Sequence, residues 1–267
     1  MAAGKSNLAE GKAVAGSRLW VQHLVEEKEF PSLARMFAAQ LGEEVTWVAP
    51  RPENNFKEYS LNQQEAMAAL FPGANKAALF DFWPSNQPQW DGIAIGKTSG
   101  ALYLVEAKAH RKEAEGQKLG ATDPVSIDTI KNTLRKYHDT YFPQGDFSLW
   151  TDGHYQLANR LAFLYEMQAR CVPQYFSDVR LVLLNVVGDP TLEEHRAEYH
   201  GYKMTRAAWE DFYGDVFSKM LGTPQTPRGT VLLHLDVELM MRYQKIKDMV
   251  KSRRAKFAAL MDFIERQ

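Results

Sequence analysis

Three charged residues, Asp91, Glu106 and Lys108, lie in the otherwise apolar stretch "WDGIAIGKTSGALYLVEAKAH" at residues 90–110. Unpaired charge is costly among core residues, so these side chains need partners or a chemical task. Two neighbouring carboxylates can hold a hard divalent cation, and an ammonium beside them can stabilise developing negative charge. This combination is suited to metal-assisted hydrolysis of a phosphodiester.

The same stretch predicts a β-hairpin that brings the three residues together. Strands at 90–96 and 101–109 flank the turn "KTSG", and a symmetric turn places Asp91 opposite Glu106. Because strand side chains alternate between faces, Lys108 shares the face of Glu106. Like charges directly opposite destabilise a strand pair, and a bound divalent cation would offset their repulsion. A structural ion pair of Lys108 with either carboxylate is the alternative interpretation.

The rest of the chain predicts helices and strands around this hairpin. Apolar spacing favours helices within 16–42 (broken at Pro31) and at 56–71, 121–142, 153–170 and 237–266, with strands at 77–83, 179–188 and 230–237. Asp123 before Pro124 is typical of a helix start. This order predicts an α/β fold with a mixed central sheet flanked by helices. We expect an N-terminal helical segment at 1–55, a core at 56–237 and a C-terminal basic helix at 238–267.

Composition limits the class of protein. The chain has 267 residues, of which 45% are hydrophobic, and a single cysteine, Cys171, which excludes an internal disulfide. It has no apolar stretch of the roughly 20 residues that span a bilayer, and its first residues lack the apolar segment of a signal peptide. We therefore expect a soluble, cytoplasmic protein. With a net charge of -1, contacts with nucleic acid must come from local positive charge.

The motif residues resemble those of a known family. "WDGIAIG" followed by "LYLVEAKAH" is similar to the motif of the PD-(D/E)XK nuclease superfamily, in which an aspartate at a strand start precedes Glu-x-Lys on the next strand. The proline of the motif is displaced here to Pro88. The strings "FWPSNQPQWDG", "VEAKAH" and "YQLANRLAFL" also resemble a group of uncharacterised bacterial proteins that look like members of this superfamily. The resemblance covers roughly residues 77–188.

The resemblance implies a restriction-endonuclease-like core of order α-β-β-β-α-β with a four-stranded mixed sheet. It also implies hydrolysis of nucleic-acid phosphodiesters that depends on Mg²⁺ or on Mn²⁺ in its place. We expect DNA ahead of RNA as the partner, although the sequence leaves the choice between them open. Asp91 and Glu106 would bind the metal with the carbonyl of Ala107, and Lys108 would be the catalytic lysine. Gln156 would lie near the site on a later helix.

Two points depart from the family pattern or stay open. Arg160 stands where a tyrosine usually follows Gln156, which weakens the assignment of that glutamine. A glutamate from the preceding helix often adds a metal ligand, and Glu58 and Glu65 are both in range. Some members have lost activity, so a non-catalytic nucleic-acid-binding or interaction protein is the alternative function.

The C-terminal helix carries two further patterns. Apolar residues in heptad-like spacing predict packing on the body of the protein or a homodimer interface; they are Leu239, Tyr243, Ile246, Val250, Phe257, Leu260 and Ile264. Basic residues cover its other faces, namely Arg242, Lys245, Lys247, Lys251, Arg253, Arg254 and Lys256. They form either a solvated face or a ridge that binds phosphates.

Overall fold

The computed structural model describes residues 11–28, 30–192 and 203–265, with side chains up to residue 257. Its strands are β1 (Val45–Ala49), β2 (Gly92–Gly96), β3 (Leu102–Lys108), β4 (Gln117–Lys118), β5 (Asp152–Gly153), β6 (Val179–Val187) and β7 (Thr230–Asp236). Five of them form one sheet in the order β1-β2-β3-β6-β7, and β4 pairs with β5 separately. The first three strands of the large sheet are antiparallel, whereas β6 and β7 run parallel to β3.

Helices cover both faces of the large sheet. They are α1 (Gly16–Glu26), α2 (Pro31–Leu41), α3 (Gln64–Leu70), α4 (Lys76–Leu79), α5 (Arg111–Ala114), α6 (Pro124–Tyr141), α7 (Ser148–Thr151), α8 (Tyr155–Cys171), α9 (Arg206–Leu221) and α10 (Val237–Glu265). The predicted α/β class, with a mixed sheet flanked by helices and a long C-terminal helix, is therefore confirmed.

The two faces of β3 belong to different parts of the core. Leu102 and Leu104 pack with residues of α6, α8 and α9. Tyr103 and Val105 point the other way and pack with residues of α1 and α2. By alternation, Glu106 and Lys108 lie on the α8 face. Their charges therefore enter the larger of the two apolar layers.

Gly92, which follows Asp91, allows β1 and β2 to lie close together because it has no side chain. A Cβ atom at this position would lie 2.8 Å from the Trp47 ring and 3.2 Å from Cβ of Val105. A larger residue would therefore push β1 away from the hairpin. Glycine at this position keeps the start of β2, and with it Asp91, in place.

Three predicted features are wrong or incomplete. The strand expected at 77–83 is instead the short helix α4 followed by turns, because Asn75 caps it by accepting hydrogen bonds from the N–H groups of Ala77 and Ala78. The helix expected at 56–71 is confined to Gln64–Leu70. The segment 1–55 contains the predicted helices but also the edge strand β1, so it forms part of the central sheet.

The long C-terminal helix is confirmed at Val237–Glu265, but its predicted packing on the core is wrong over the described side chains. Met240 near its start is buried, whereas the seam residues Leu239, Tyr243, Ile246, Val250 and Phe257 are exposed. The seam residues Leu260 and Ile264 lie outside the described side chains. The homodimer interface stays a prediction. Nowhere in the described ranges does a helix combine the length and apolar character needed to cross a membrane.

Candidate active site: a buried charge cluster

The hairpin places Asp91 and Glu106 as the sequence predicts. In β2 and β3, Gly92 pairs with Val105 and Ile93 pairs with Leu104. Extending this register by one residue puts Asp91 opposite Glu106. Oδ2 of Asp91 accepts a hydrogen bond of 2.7 Å from the backbone N–H of Ala107, so the aspartate reaches across to β3. Asp91 is thereby oriented by the strand that carries the other two charged residues.

Glu106 lies between two cations. It is 4% exposed, and its Oε1 accepts a hydrogen bond from Nζ of Lys108. Its Oε2 accepts a hydrogen bond of 2.6 Å from Nε of Arg160 on α8. Burial opposes ionisation of Glu106, but the guanidinium of Arg160 and the ammonium of Lys108 outweigh burial and lower its pKa. Glu106 is therefore an ionised carboxylate inside the core.

Lys108 is charged for the same reason. Burial alone would lower the pKa of this lysine. The carboxylates of Glu106 and Asp91 outweigh that effect, so the pKa of Lys108 lies above its usual value. Lys108 therefore acts as a fixed positive charge beside Glu106, and it does not serve as a general base in this state.

Arg160 is the residue that sequence reasoning did not place in the site. Besides Glu106, it donates hydrogen bonds of 2.7 Å to the carbonyl of Gln89 and 3.1 Å to Oδ1 of Asn159. Its guanidinium carbon lies 4.4 Å from the centre of the Trp90 ring, within the range of a cation–π contact. The available signal was its position four residues after Gln156, which puts both side chains on one face of α8.

Gln156 also faces the cluster. Together with Glu106, Lys108, His154 and Tyr213, it lines a small cavity of about 20 Å³ between α8, α9 and the sheet. Its Oε1 is buried and has no hydrogen-bond partner among the described residues. A cavity of this size holds about one water molecule. The structure therefore brings together Asp91, Glu106, Lys108 and Gln156, and the backbone of Ala107.

Glu58 joins the same cluster, whereas Glu65 does not. Glu58 is 8% exposed, and its Oε1 lies 3.6 Å from Nε of Arg18. Burial, and next the negative charge of Asp91, raise the pKa of Glu58 to about 8. Glu65 is exposed on α3 and lies 3.5 Å from Nζ of Lys57. Of the two glutamates that the sequence left open, only Glu58 interacts with Asp91.

Among the described residues Asp91 has no ion pair within 4 Å, whereas Glu106 has two. Burial, followed by the negative charge of Glu106, raises the pKa of Asp91 to about 7, although Lys108 and the N–H of Ala107 act in the opposite direction. We refer to Glu58, Asp91, Glu106, Lys108 and Arg160 as the charge cluster. Its positive charges surround Glu106, which leaves Asp91 and Glu58 less well compensated.

The charge cluster contains oxygen atoms of the kind that bind a divalent cation, but the ion pairs that Glu106 now makes leave its oxygens occupied. Carboxylate and carbonyl oxygens are the ligands that Mg²⁺ prefers, and Asp91 and Glu58 would each gain from an added positive charge. Both oxygens of Glu106, however, already accept from Lys108 and Arg160. Among the described residues, no group of three or more histidines, cysteines, aspartates and glutamates is arranged to hold a metal ion. Metal binding by Glu106 would require one of its ion pairs to open.

Comparison of the chain with family models, with curated proteins and with solved structures finds no match. The argument about function therefore rests on the geometry of the charge cluster and on the motif residues.

We expect Asp91→Asn to change how stability depends on pH. Between about pH 4 and pH 7 the folded protein keeps the Asp91 proton that the unfolded chain releases, so the free energy of unfolding falls as pH rises. Removal of the ionisable group should flatten this slope and stabilise the variant relative to the parent by about 4 kcal/mol at pH 8, the equivalent of a pKa shift from 3.8 to about 7. Urea unfolding at pH 5 and pH 8 measures the difference. Glu65→Gln is the matched control, and equal slopes in Asp91→Asn and the parent would contradict the assignment.

Loss of Arg160 should be strongly destabilising. Arg160→Met leaves Glu106 buried with only Lys108, and breaking a buried pair from one side costs about 3 kcal/mol. Arg242→Met is the control, because the exposed pair of Arg242 with Glu238 contributes less than about 0.5 kcal/mol. A second change, Glu106→Gln, in the Arg160→Met background should recover part of the lost stability. Chemical denaturation of the four proteins tests this, and equal losses for Arg160→Met and Arg242→Met would refute it.

Proposed function

We propose that this protein is a metal-dependent nuclease of the PD-(D/E)XK superfamily that hydrolyses phosphodiester bonds of nucleic acid. The observation that carries the proposal is the hairpin register, which sets Asp91 opposite Glu106 with Lys108 on the same face. The contact of Asp91 with the backbone of Ala107 supports it, because Ala107 is the residue whose carbonyl completes the implied ligand set.

The order of elements supports the same proposal. Strands β1, β2 and β3 follow helix α2, and helix α8 then leads to β6 beside β3. These elements follow the α-β-β-β-α-β order that the motif resemblance implies, with α3 and α4 inserted between β1 and β2 and α5 to α7 before α8. The sheet differs from the implied four strands because β7 adds a fifth. The glutamine Gln156 lies on α8 and lines the cavity beside Glu106 and Lys108, where the proposal needs it.

In the proposed mechanism, Asp91 and Glu106 would hold Mg²⁺ or Mn²⁺ with the carbonyl of Ala107 once one ion pair of Glu106 has opened, and Glu58 would be available as a further carboxylate. The bound ion supplies Lewis-acid polarisation of the phosphate and lowers the pKa of an attacking water. Lys108 keeps its proton and stabilises negative charge on the phosphate oxygens at Nζ. Gln156 orients the water through its unpartnered side-chain oxygen. The attacking water gives one proton to solvent as its oxygen bonds to phosphorus, the ester P–O bond breaks, and the leaving oxygen takes up a proton from solvent, which yields a phosphate monoester and a hydroxyl group.

The ridge on α10 supplies the local positive charge that a nearly neutral protein needs to bind phosphates. Its basic side chains are exposed over the described part of the helix; they are Arg242, Lys245, Lys247, Lys251, Arg253, Arg254 and Lys256. We propose DNA as the preferred polymer, and a homodimer through the exposed seam of the same helix.

Cleavage of labelled nucleic acids tests the proposal. Linear duplex, plasmid, single-stranded DNA, branched DNA and RNA are incubated with Mg²⁺ or Mn²⁺. Lys108→Met should lower the cleavage rate at least about 100-fold, because a buried charge that stabilises the transition state is removed. Lys97→Met is the matched control, since Lys97 lies in the turn of the same hairpin and pairs with Glu44 on the surface. Full activity in Lys108→Met would overturn the assigned role.

A second candidate function, a non-catalytic binding protein with the same fold, is favoured by one observation. Both oxygens of Glu106 are engaged by Lys108 and Arg160, which is the arrangement of a structural ion-pair network. In that case the charge cluster would stabilise one arrangement of β3 and α8 and would bind no metal.

Thermal unfolding with and without Mg²⁺ separates the two functions. A metal that binds only the folded protein stabilises it by about 2.7 kcal/mol at a concentration 100 times its Kd. We expect a rise of Tm with Mg²⁺ in the parent and in Glu65→Gln, and no rise in Asp91→Asn. No effect of Mg²⁺ or Mn²⁺ on the parent would favour the non-catalytic function.

A further inference from the structure

A large polar pocket lies next to the charge cluster, on the outer side of Arg160. Its volume is about 880 Å³, and the segment 83–89, the start of α3 and the first turn of α8 line it. Arg160 connects the two sites directly, because its guanidinium donates to Glu106 on one side and to the carbonyl of Gln89 and the side chain of Asn159 on the other. Both Gln89 and Asn159 line the pocket.

The pocket contains a side chain with unmet hydrogen-bonding capacity. Gln87 lines it and is only 5% exposed, yet neither its amide nitrogen nor its amide oxygen has a hydrogen-bond partner among the described residues. Buried polar groups in folded proteins are almost always paired, because leaving one unpaired destabilises the fold. Both atoms are also covered by protein in this state, so a ligand with a hydrogen-bond donor beside an acceptor would satisfy the amide once the Gln87 side chain turns into the pocket.

The backbone holds Gln87 firmly in this position. Oγ of Ser60 donates a hydrogen bond of 3.1 Å to the carbonyl of Gln87, and the amide of Asn62 donates one of 2.8 Å to the carbonyl of Ser85. The carbonyl of Gln89 is held by Arg160. The backbone that carries this amide is therefore anchored at three points, so a ligand that pairs with the amide has to order only the Gln87 side chain, which limits the entropy cost of binding.

The other lining groups narrow the class of ligand. Carboxamides, Trp83, Tyr155 and Lys76 form much of the lining, and no carboxylate is among the described lining residues. Tyr155 is the partly exposed ring, since Trp83 is only 5% exposed. Aromatic rings can stack on a base, and a carboxamide can read a base edge through a paired donor and acceptor. Lys76 can contact a phosphate. This combination matches a nucleotide whose base has left the stack.

We propose that this pocket binds one unstacked nucleobase of the substrate and that the Gln87 amide pairs with its hydrogen-bonding edge. The inference rests on the proposed nuclease function for the position of the scissile phosphate, which would lie at the charge cluster across Arg160. It identifies the substrate class as nucleic acid with an unpaired or flipped nucleotide beside the cleaved bond. In a duplex, the pairing edge of a base is hydrogen-bonded to its partner and both faces of its ring are stacked on neighbouring bases. A fully paired base therefore cannot enter the pocket.

Binding without divalent metal tests this inference separately from cleavage. The probes are a fluorescent single-stranded DNA of about five nucleotides, the same sugar-phosphate backbone without bases, and a blunt duplex. We expect the parent to bind the base-bearing strand most tightly. Gln87→Met should weaken that binding about tenfold and leave the other two affinities unchanged. Gln174→Met is the control, because Gln174 is exposed and lies outside the pocket.

The fold of the variant is checked by its unfolding midpoint. Methionine has a similar length and needs no hydrogen bond, so Gln87→Met should be at least as stable as the parent. Equal binding of all three probes by the parent, no binding of any of them, or an affinity for the base-bearing strand that Gln87→Met does not change would each overturn the inference. If base-dependent binding is present but no substrate is cleaved with metal, the pocket stands and the proposed nuclease function fails.

Discussion

The arrangement of this protein depends on one buried carboxylate. Glu106 lies in the central strand β3, where water cannot solvate its charge, and Lys108 and Arg160 supply the compensating positive charges. Lys108 comes from the same strand, but Arg160 comes from α8 and also holds the carbonyl of Gln89. A single carboxylate therefore ties together a strand, a helix and the segment before β2. Buried ion pairs add little net stability compared with apolar packing, but removal of one partner is costly, so the network favours one relative position of these elements.

The negative charges of the charge cluster are not equally balanced by positive charges, and this difference determines where the site would accept a cation or a proton. Glu106 has two cations, whereas burial and neighbouring negative charge raise the pKa values of Asp91 and Glu58 to about 7 and about 8. At neutral pH a bound cation would therefore compete with protons at these two carboxylates. It would also compete with Lys108 and Arg160 at Glu106. The arginine at position 160 makes this competition stronger than a tyrosine would, because its charge is permanent.

Two surfaces of the protein differ in the contacts that they offer to a nucleic acid. The basic side chains on α10 are suited to phosphate contacts of any sequence, since such contacts depend on charge alone. The pocket around Gln87 is nearly uncharged and offers amides and aromatic rings, which discriminate by hydrogen-bond pattern and shape. Their separation explains how a chain with a net charge of -1 could bind a polyanion and still keep a selective pocket.

Local patterns in the sequence determined the hairpin and its faces. The symmetric turn predicted that Asp91 lies opposite Glu106, and the alternation of side chains predicted that Lys108 shares the face of Glu106. The nearly continuous apolar run predicted β6. Asp123 before Pro124 predicted the start of α6, where the Asp123 side chain accepts from the N–H of Ser126. These features depend on residues that are close together in the chain or joined by a tight turn. The nearby sequence is therefore sufficient to predict them. The motif likewise indicated the part of the candidate site that lies on the hairpin, namely Asp91, Glu106 and Lys108.

Only the tertiary structure decided what surrounds that hairpin. Arg160 is 54 residues from Glu106 in the chain, and Glu58 and Gln87 reach the site from irregular segments that have no periodic pattern. Strand β1 is short, and its place beside β2 depends on packing against Gly92. Burial decided which of Glu58 and Glu65 lies near Asp91. A sequence pattern does not predict the burial of a single residue outside a helix or strand. Charge compensation is a long-range property, because a buried charge interacts with whichever element the fold brings within a few ångströms of it.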